Sequence, residues 1–124
     1  MDTPIADSYW VIEGRFLAGE YPATPHENSS KIKLQSILDA GVTAFVDLTE
    51  EGELKPYTNL LTSIATYNNR VVTHRRMPIK DLAITTDTKM SELLKLIASL
   101  VKAEEIVYLH CWGGIGRTGT VAGC

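Results

Sequence analysis

Three short strand-like runs, each separated from the next by helical spacing, set what this chain can fold into. Residues 42–48 (VTAFVDL), 71–77 (VVTHRRM) and 106–110 (IVYLH) are enriched in the β-branched and aromatic side chains that suit a pleated sheet. Between the second and third, Asp87 opens a segment that sets Met90, Leu93, Leu94, Ile97, Leu100 and Val101 on one face at three-and-four spacing. A shorter helix is expected around Leu60, Leu61 and Ile64. Another precedes the first run, carrying Ile32, Leu34, Ile37 and Leu38, with Ser29 or Ser30 as its cap and Gly41 as its stop. Residues 10–19 (WVIEGRFLAG) read as two short strands around a Glu13-Gly14 turn. Loops are expected at 20–30, at the acidic stretch 49–55 with Glu50, Glu51 and Glu53, and at 79–86 after Pro78. Strand–helix alternation of this kind predicts an α/β fold, a central mixed and partly parallel sheet flanked by helices.

In such sheets ligands gather beyond the carboxyl ends of the strands. The run 106–110 ends there in HCWGGIGRTG, where two motifs overlap. Gly114-x-Gly116-x-x-Gly119 has the spacing of a dinucleotide-binding turn. That motif usually opens a domain and uses an acid about 20 residues further on to hold a ribose, whereas only five residues follow Gly119. It also has no use for a cysteine before the loop or an arginine within it.

Cysteine-based phosphate chemistry accounts for every unusual residue. A thiolate at Cys111 attacks phosphorus from the floor of an anion cradle. The backbone N–H groups of Trp112, Gly113, Gly114, Ile115, Gly116 and Arg117 can turn inward around a phosphate, and the glycines permit the angles that such a nest requires. A helix starting near Arg117 would aim its positive end at the same point. Amides and dipole together would draw the Cys111 thiol below the ordinary thiol value of about 8.5. Arg117 presents a planar fork for two phosphoryl oxygens. Thr118 can donate its hydroxyl hydrogen to the sulfur as it leaves. His110, at the end of the strand, is expected to brace the loop rather than act as base.

HCWGGIGRT is a full match to HCx5R[ST], and this stretch resembles the protein-tyrosine-phosphatase superfamily. The small, glycine-rich loop is similar to that of the dual-specificity branch. ELKPYTNLL, VVTHRRMPIKD and the long amphipathic segment extend the likeness, in order and spacing, to cyclin-dependent-kinase-associated phosphatases and their bacterial relatives. The resemblance implies a cysteine phosphatase-like fold and, as third actor, an aspartic acid on a loop that protonates the leaving oxygen and then activates water. Asp81, 30 positions before Cys111 in PIKDLAI, matches that placement. Asp87 competes with it but is better explained as a helix cap, and Asp47 remains a further acid. The resemblance implies no cofactor and no metal.

None of the five residues between Cys111 and Arg117 is basic, which favours a single phosphoryl group, as on tyrosine, serine or threonine of a phosphoprotein. Net charge is −3, so no broad basic field exists to draw nucleic acid. No apolar run approaches the roughly 20 residues that span a membrane. Two cysteines, Cys111 and Cys124, in a chain with no visible signal peptide fit a reducing, cytoplasmic setting. Cys124 is expected as a small helix residue rather than a disulfide partner. His74, Arg75 and Arg76 read as a solvated strand end or as the rim of a pocket. His26 reads as an exposed loop residue, Trp10 and Tyr21 as packing, and Trp112 as either packing or substrate contact. The resemblance also implies helices after the signature. The expectation is therefore one domain, 1–124, incomplete at its carboxyl end, with an uncovered apolar face that invites a homodimer. A phosphate-binding module that retains the loop without turnover is the alternative function.

Overall fold

The computed structural model describes residues 4–5, 8–49, 56–78 and 87–110. In chain order these form β1 (Ser8–Ile12), β2 (Phe16–Gly19), α1 (Glu27–Asp39), β3 (Ala44–Asp47), α2 (Thr58–Tyr67), β4 (Thr73–Arg76), α3 (Asp87–Lys102) and β5 (Val107–His110). The strands make one sheet in the order β1-β2-β5-β3-β4. Only the β1–β2 pair is antiparallel; β2–β5, β5–β3 and β3–β4 are parallel. The mixed, partly parallel sheet expected from the alternation is thus present.

Burial follows position in that order. All four residues of β3 and all four of β5 are buried, because each lies inside the sheet with helices over both faces. Alternate side chains go to opposite sides. Ala44, Val46, Val107 and Leu109 meet Leu93 and Ile97 of α3. Phe45 and Tyr108 meet Leu34, Ile37 and Leu38 of α1 and Leu61 and Ala65 of α2. By the same alternation Asp47 and His110, the last residues of β3 and β5, fall on the α1–α2 side.

The turn at Glu13-Gly14 has Gly14 at φ 74°, and Arg15 N–H donates to Ile12 O at 2.9 Å, so the expected hairpin closes there. The first helix differs at its start. Its cap is His26, whose side chain makes no capping hydrogen bond. Ser30 lies inside the helix, and its hydroxyl oxygen accepts from Thr24 N–H at 2.8 Å. That oxygen is spent on holding the preceding loop, which moves the cap upstream. Ile32 is 69% exposed although Leu34, Ile37 and Leu38 are fully buried, so the apolar stripe is narrower than expected. Among the strands, 71–77 shortens to β4 because Val71 lies 86% exposed before the edge strand begins.

Gly41 stops α1 as expected, at φ 97°. A Cβ there would stand 3.1 Å from Ile106 Cδ1. Gly41→Ala should therefore lower stability by about 1–2 kcal/mol. A thermal melt of the variant checks this, and an unchanged midpoint would contradict it.

Candidate active site

The carboxyl ends of β3, β4 and β5 lie side by side, and the register sets Asp47 opposite His110 on one side and Arg76 on the other. The ladders continue past the strand ends. Leu48 N–H donates to His110 O at 2.9 Å, and Met77 N–H donates to Asp47 O at 2.9 Å. The sheet therefore fixes the backbone up to the residue before Cys111.

His110 has no solvent exposure. Its ring stacks on Tyr108 at 5.6 Å and meets Tyr21 edge-on at 5.5 Å, with Tyr57 5.4 Å away. Nε2 shares a hydrogen bond with the Tyr57 hydroxyl. Burial first, and the Asp47 charge next, push the Tyr57 hydroxyl well above its ordinary value, so it stays a phenol at neutral pH. The other ring nitrogen, Nδ1, lies 4.0 Å from Asp47 Oδ1. A ring enclosed in this way is shielded from solvent.

Asp47 is also wholly buried. Oδ1 accepts from the Thr49 backbone N–H at 2.9 Å and from the Thr49 hydroxyl at 2.5 Å. Oδ2 lies 3.0 Å from His74 Nε2 and 3.5 Å from Arg76 Nη2. Since a carboxylate only accepts, His74 carries its hydrogen on Nε2. Burial alone would raise the carboxyl. The His74 bond, the His110 charge and the Thr49 bonds outweigh it and hold Asp47 at about 2, below its ordinary 3.8. An anion so held is no proton donor near neutral pH.

The expectation for 74–76 divides by strand alternation. His74 and Arg76 are half-buried and reach Asp47, whereas Arg75 is exposed. Tyr21 and Trp10 pack against the α1–α2 core as expected, and His26 is exposed. Asp87 is the first residue of α3. The remaining expectations, Cys111, Trp112, Gly113, Gly114, Ile115, Gly116, Arg117, Thr118, Cys124 and Asp81, lie outside the described residues. Among the described residues no group of three His, Cys, Asp or Glu side chains converges as metal ligands, and no helix is long and apolar enough to cross a membrane.

The bridging place of Asp47 and the part played by Tyr57 escaped sequence reasoning. Asp47 carried a signal, an acid in an otherwise apolar strand with Thr49 two residues on, the spacing of a side chain that closes on its own turn. Tyr57 carried none: its partner is 53 positions away. Its ring also lines a cleft of about 470 Å³ between the first turns of α1 and α2, with Thr24, Ser30 and Asn59.

Residues 23–124 match the family described as "Polymorphic toxin system, DSP-PTPase phosphatase". The chain is 35% identical over 97 residues to the tyrosine phosphatase-like protein 067L of Invertebrate iridescent virus 3, covering 74% of this chain and 37% of the viral protein. It thus spans little more than a third of that relative's length. Among solved structures, Tk-PTP in its active form superposes with a TM-score of 0.67 at 24% identity, covering 93% of this chain and 68% of the other. Kinase associated phosphatase, with its catalytic-site cysteine changed to serine, gives 0.69 at 18% identity, covering 100% and 74%. At these identities the shared feature is the fold.

Proposed function

We propose, because the chain belongs to the DSP-PTPase phosphatase family of polymorphic toxin systems, that it is a cysteine-dependent phosphatase acting on phosphomonoesters of phosphoproteins. The observation that carries this reading is the placement of His110. The central strand β5 ends at that buried, four-sided bracket, and Cys111 is the next residue.

In the first step the Cys111 thiolate forms a bond to phosphorus as the ester P–O bond breaks. Arg117 and the amides of 112–117 hold the phosphoryl oxygens, and Asp81 gives its proton to the departing oxygen. In the second step water attacks the cysteinyl-phosphate, Asp81 takes back a proton, and the P–S bond breaks with Thr118 donating to the sulfur. The absence of basic residues at 112–116 fits a substrate with one phosphoryl group on tyrosine, serine or threonine. A thiolate nucleophile needs a reducing setting, which fits the cytoplasm.

Hydrolysis of a small aryl phosphate tests the reading. The wild-type protein should turn over and lose activity on alkylation with iodoacetate. Asp81→Ala should slow kcat by about 10²–10⁴-fold, the range for loss of a general acid, and Asp87→Ala far less. Turnover that survives alkylation would remove the cysteine mechanism; the reverse order of the two acids would move the acid to Asp87.

A further inference from the structure

The two chemical groups proposed above follow different strands in the sequence. Cys111 follows β5 directly, and Asp81 comes five residues after Arg76, the last residue of β4. Between these strands lies β3, and Asp47 is its last residue. One carboxylate meets both neighbours: Oδ1 faces His110 on β5, and Oδ2 holds His74 and Arg76 on β4.

From this geometry we infer that Asp47 is a positioning residue, one that keeps the acid-bearing segment after β4 in register with the nucleophile loop after β5. The inference rests on the phosphatase reading and on Asp81 as its acid.

The reasoning is mechanical. Among the described residues β4 is an edge strand laddered to β3 alone, and the pairing reaches as far as Met77 N–H on Asp47 O. Past that point the sequence runs on to Asp81. His74 and Arg76 point to the same face, and Asp47 secures both at the end of β4. Asp47 is the only ion-pair partner of Arg76 among the described residues, and Arg76 Nη1 is buried with no hydrogen-bond partner among them. Without the carboxylate, that guanidinium keeps no counter-charge and turns toward water. The end of β4 then loosens, and a displacement of about 1 Å at a reacting group is enough to cost on the order of 10²-fold in rate.

Leaving-group dependence separates this role from general damage. Phenyl phosphate needs its leaving oxygen protonated, whereas a difluorinated umbelliferyl phosphate leaves without help. Asp47→Asn keeps the shape and removes the charge. It should lower kcat on phenyl phosphate by about tenfold or more, and on the activated ester by less than about threefold, within the span that acid catalysis supplies. In an Asp81→Ala background the same substitution should not change the ratio of the two rates further, because the acid it positions is gone. Equal losses on both esters, no loss on either, or a ratio that still shifts without Asp81 would overturn the inference. Should Asp47→Asn fail to fold, Arg76→Gln and His74→Gln, whose side chains are partly exposed, carry the same measurement with the same expected bias. A wild-type protein equally silent with Cys111 intact or replaced by serine removes the phosphatase reading and this inference with it. An active wild type with an unchanged Asp47→Asn profile removes the inference alone.

Discussion

Cys111→Ser will abolish turnover of an aryl phosphate while leaving phosphate binding in place. The loss should be on the order of 10⁴-fold or more, as when other hydrolases lose their nucleophile. A thiol starts near 8.5, within reach of the amides and helix dipole that the proposed mechanism invokes to favour its anion. A serine hydroxyl starts far higher and stays neutral in the same cradle. Binding should survive or strengthen, because the arginine and amides remain and the sulfur's negative charge no longer opposes the ligand's. Steady-state hydrolysis together with a phosphate titration reads both halves. A serine variant that still turns over at a tenth of the wild-type rate would mean that no cysteinyl-phosphate lies on the path.

The parts of this molecule that were legible in its sequence are those written in local pattern. The amphipathic spacing of Met90 to Val101, the Glu13-Gly14 turn and the stop at Gly41 each depend on residues within a turn or two, and each stands where expected. The HCx5RT signature is likewise written within nine consecutive residues, 110–118. Strand order is different, because placing the last strand, β5, between β2 and β3 is a decision between distant segments. Only its symptoms are local, in the unbroken burial of Val107 to His110 and the alternating exposure of Thr73 to Arg76. The supports beneath the site were hardest to read. His74 lies 27 positions from Asp47, and His110 lies 53 from Tyr57. Such pairings follow from sheet order and cannot precede it. In isolation Asp47 read as one more acid in search of a role, and only the two basic side chains across β4 and the ring on β5 turn it into a fixed anion.

That fixed anion has a second measurable consequence, in the acid stability of the fold. Asp47 is held at about 2, against 3.8 for an ordinary aspartate. A carboxyl depressed by folding contributes stability above its unfolded value and loses it as pH falls through its folded value, so the window runs from about pH 4 down to about pH 2. A depression of that size is worth roughly 2 kcal/mol at neutral pH, or about 5–10 °C in Tm for a domain of this length. The groups facing the carboxylate set the sign. His74 and Arg76 on β4 and His110 on β5 gain from its charge, and Thr49 satisfies its near oxygen. Asp47→Asn should therefore melt below wild type at pH 7, and the two curves should converge as the pH falls through that window, since the wild type then carries a neutral acid where the variant carries a neutral amide. Asp47→Ala, which also empties the space beneath Thr49, should fall further, by about 3–5 kcal/mol at pH 7, the scale for removing one member of a buried ion pair. Melts of the three proteins between pH 2 and 7 decide the matter. A gap between wild type and Asp47→Asn that stayed constant with pH would mean that the carboxylate's charge contributes nothing, and that Asp47 serves the sheet only by its shape.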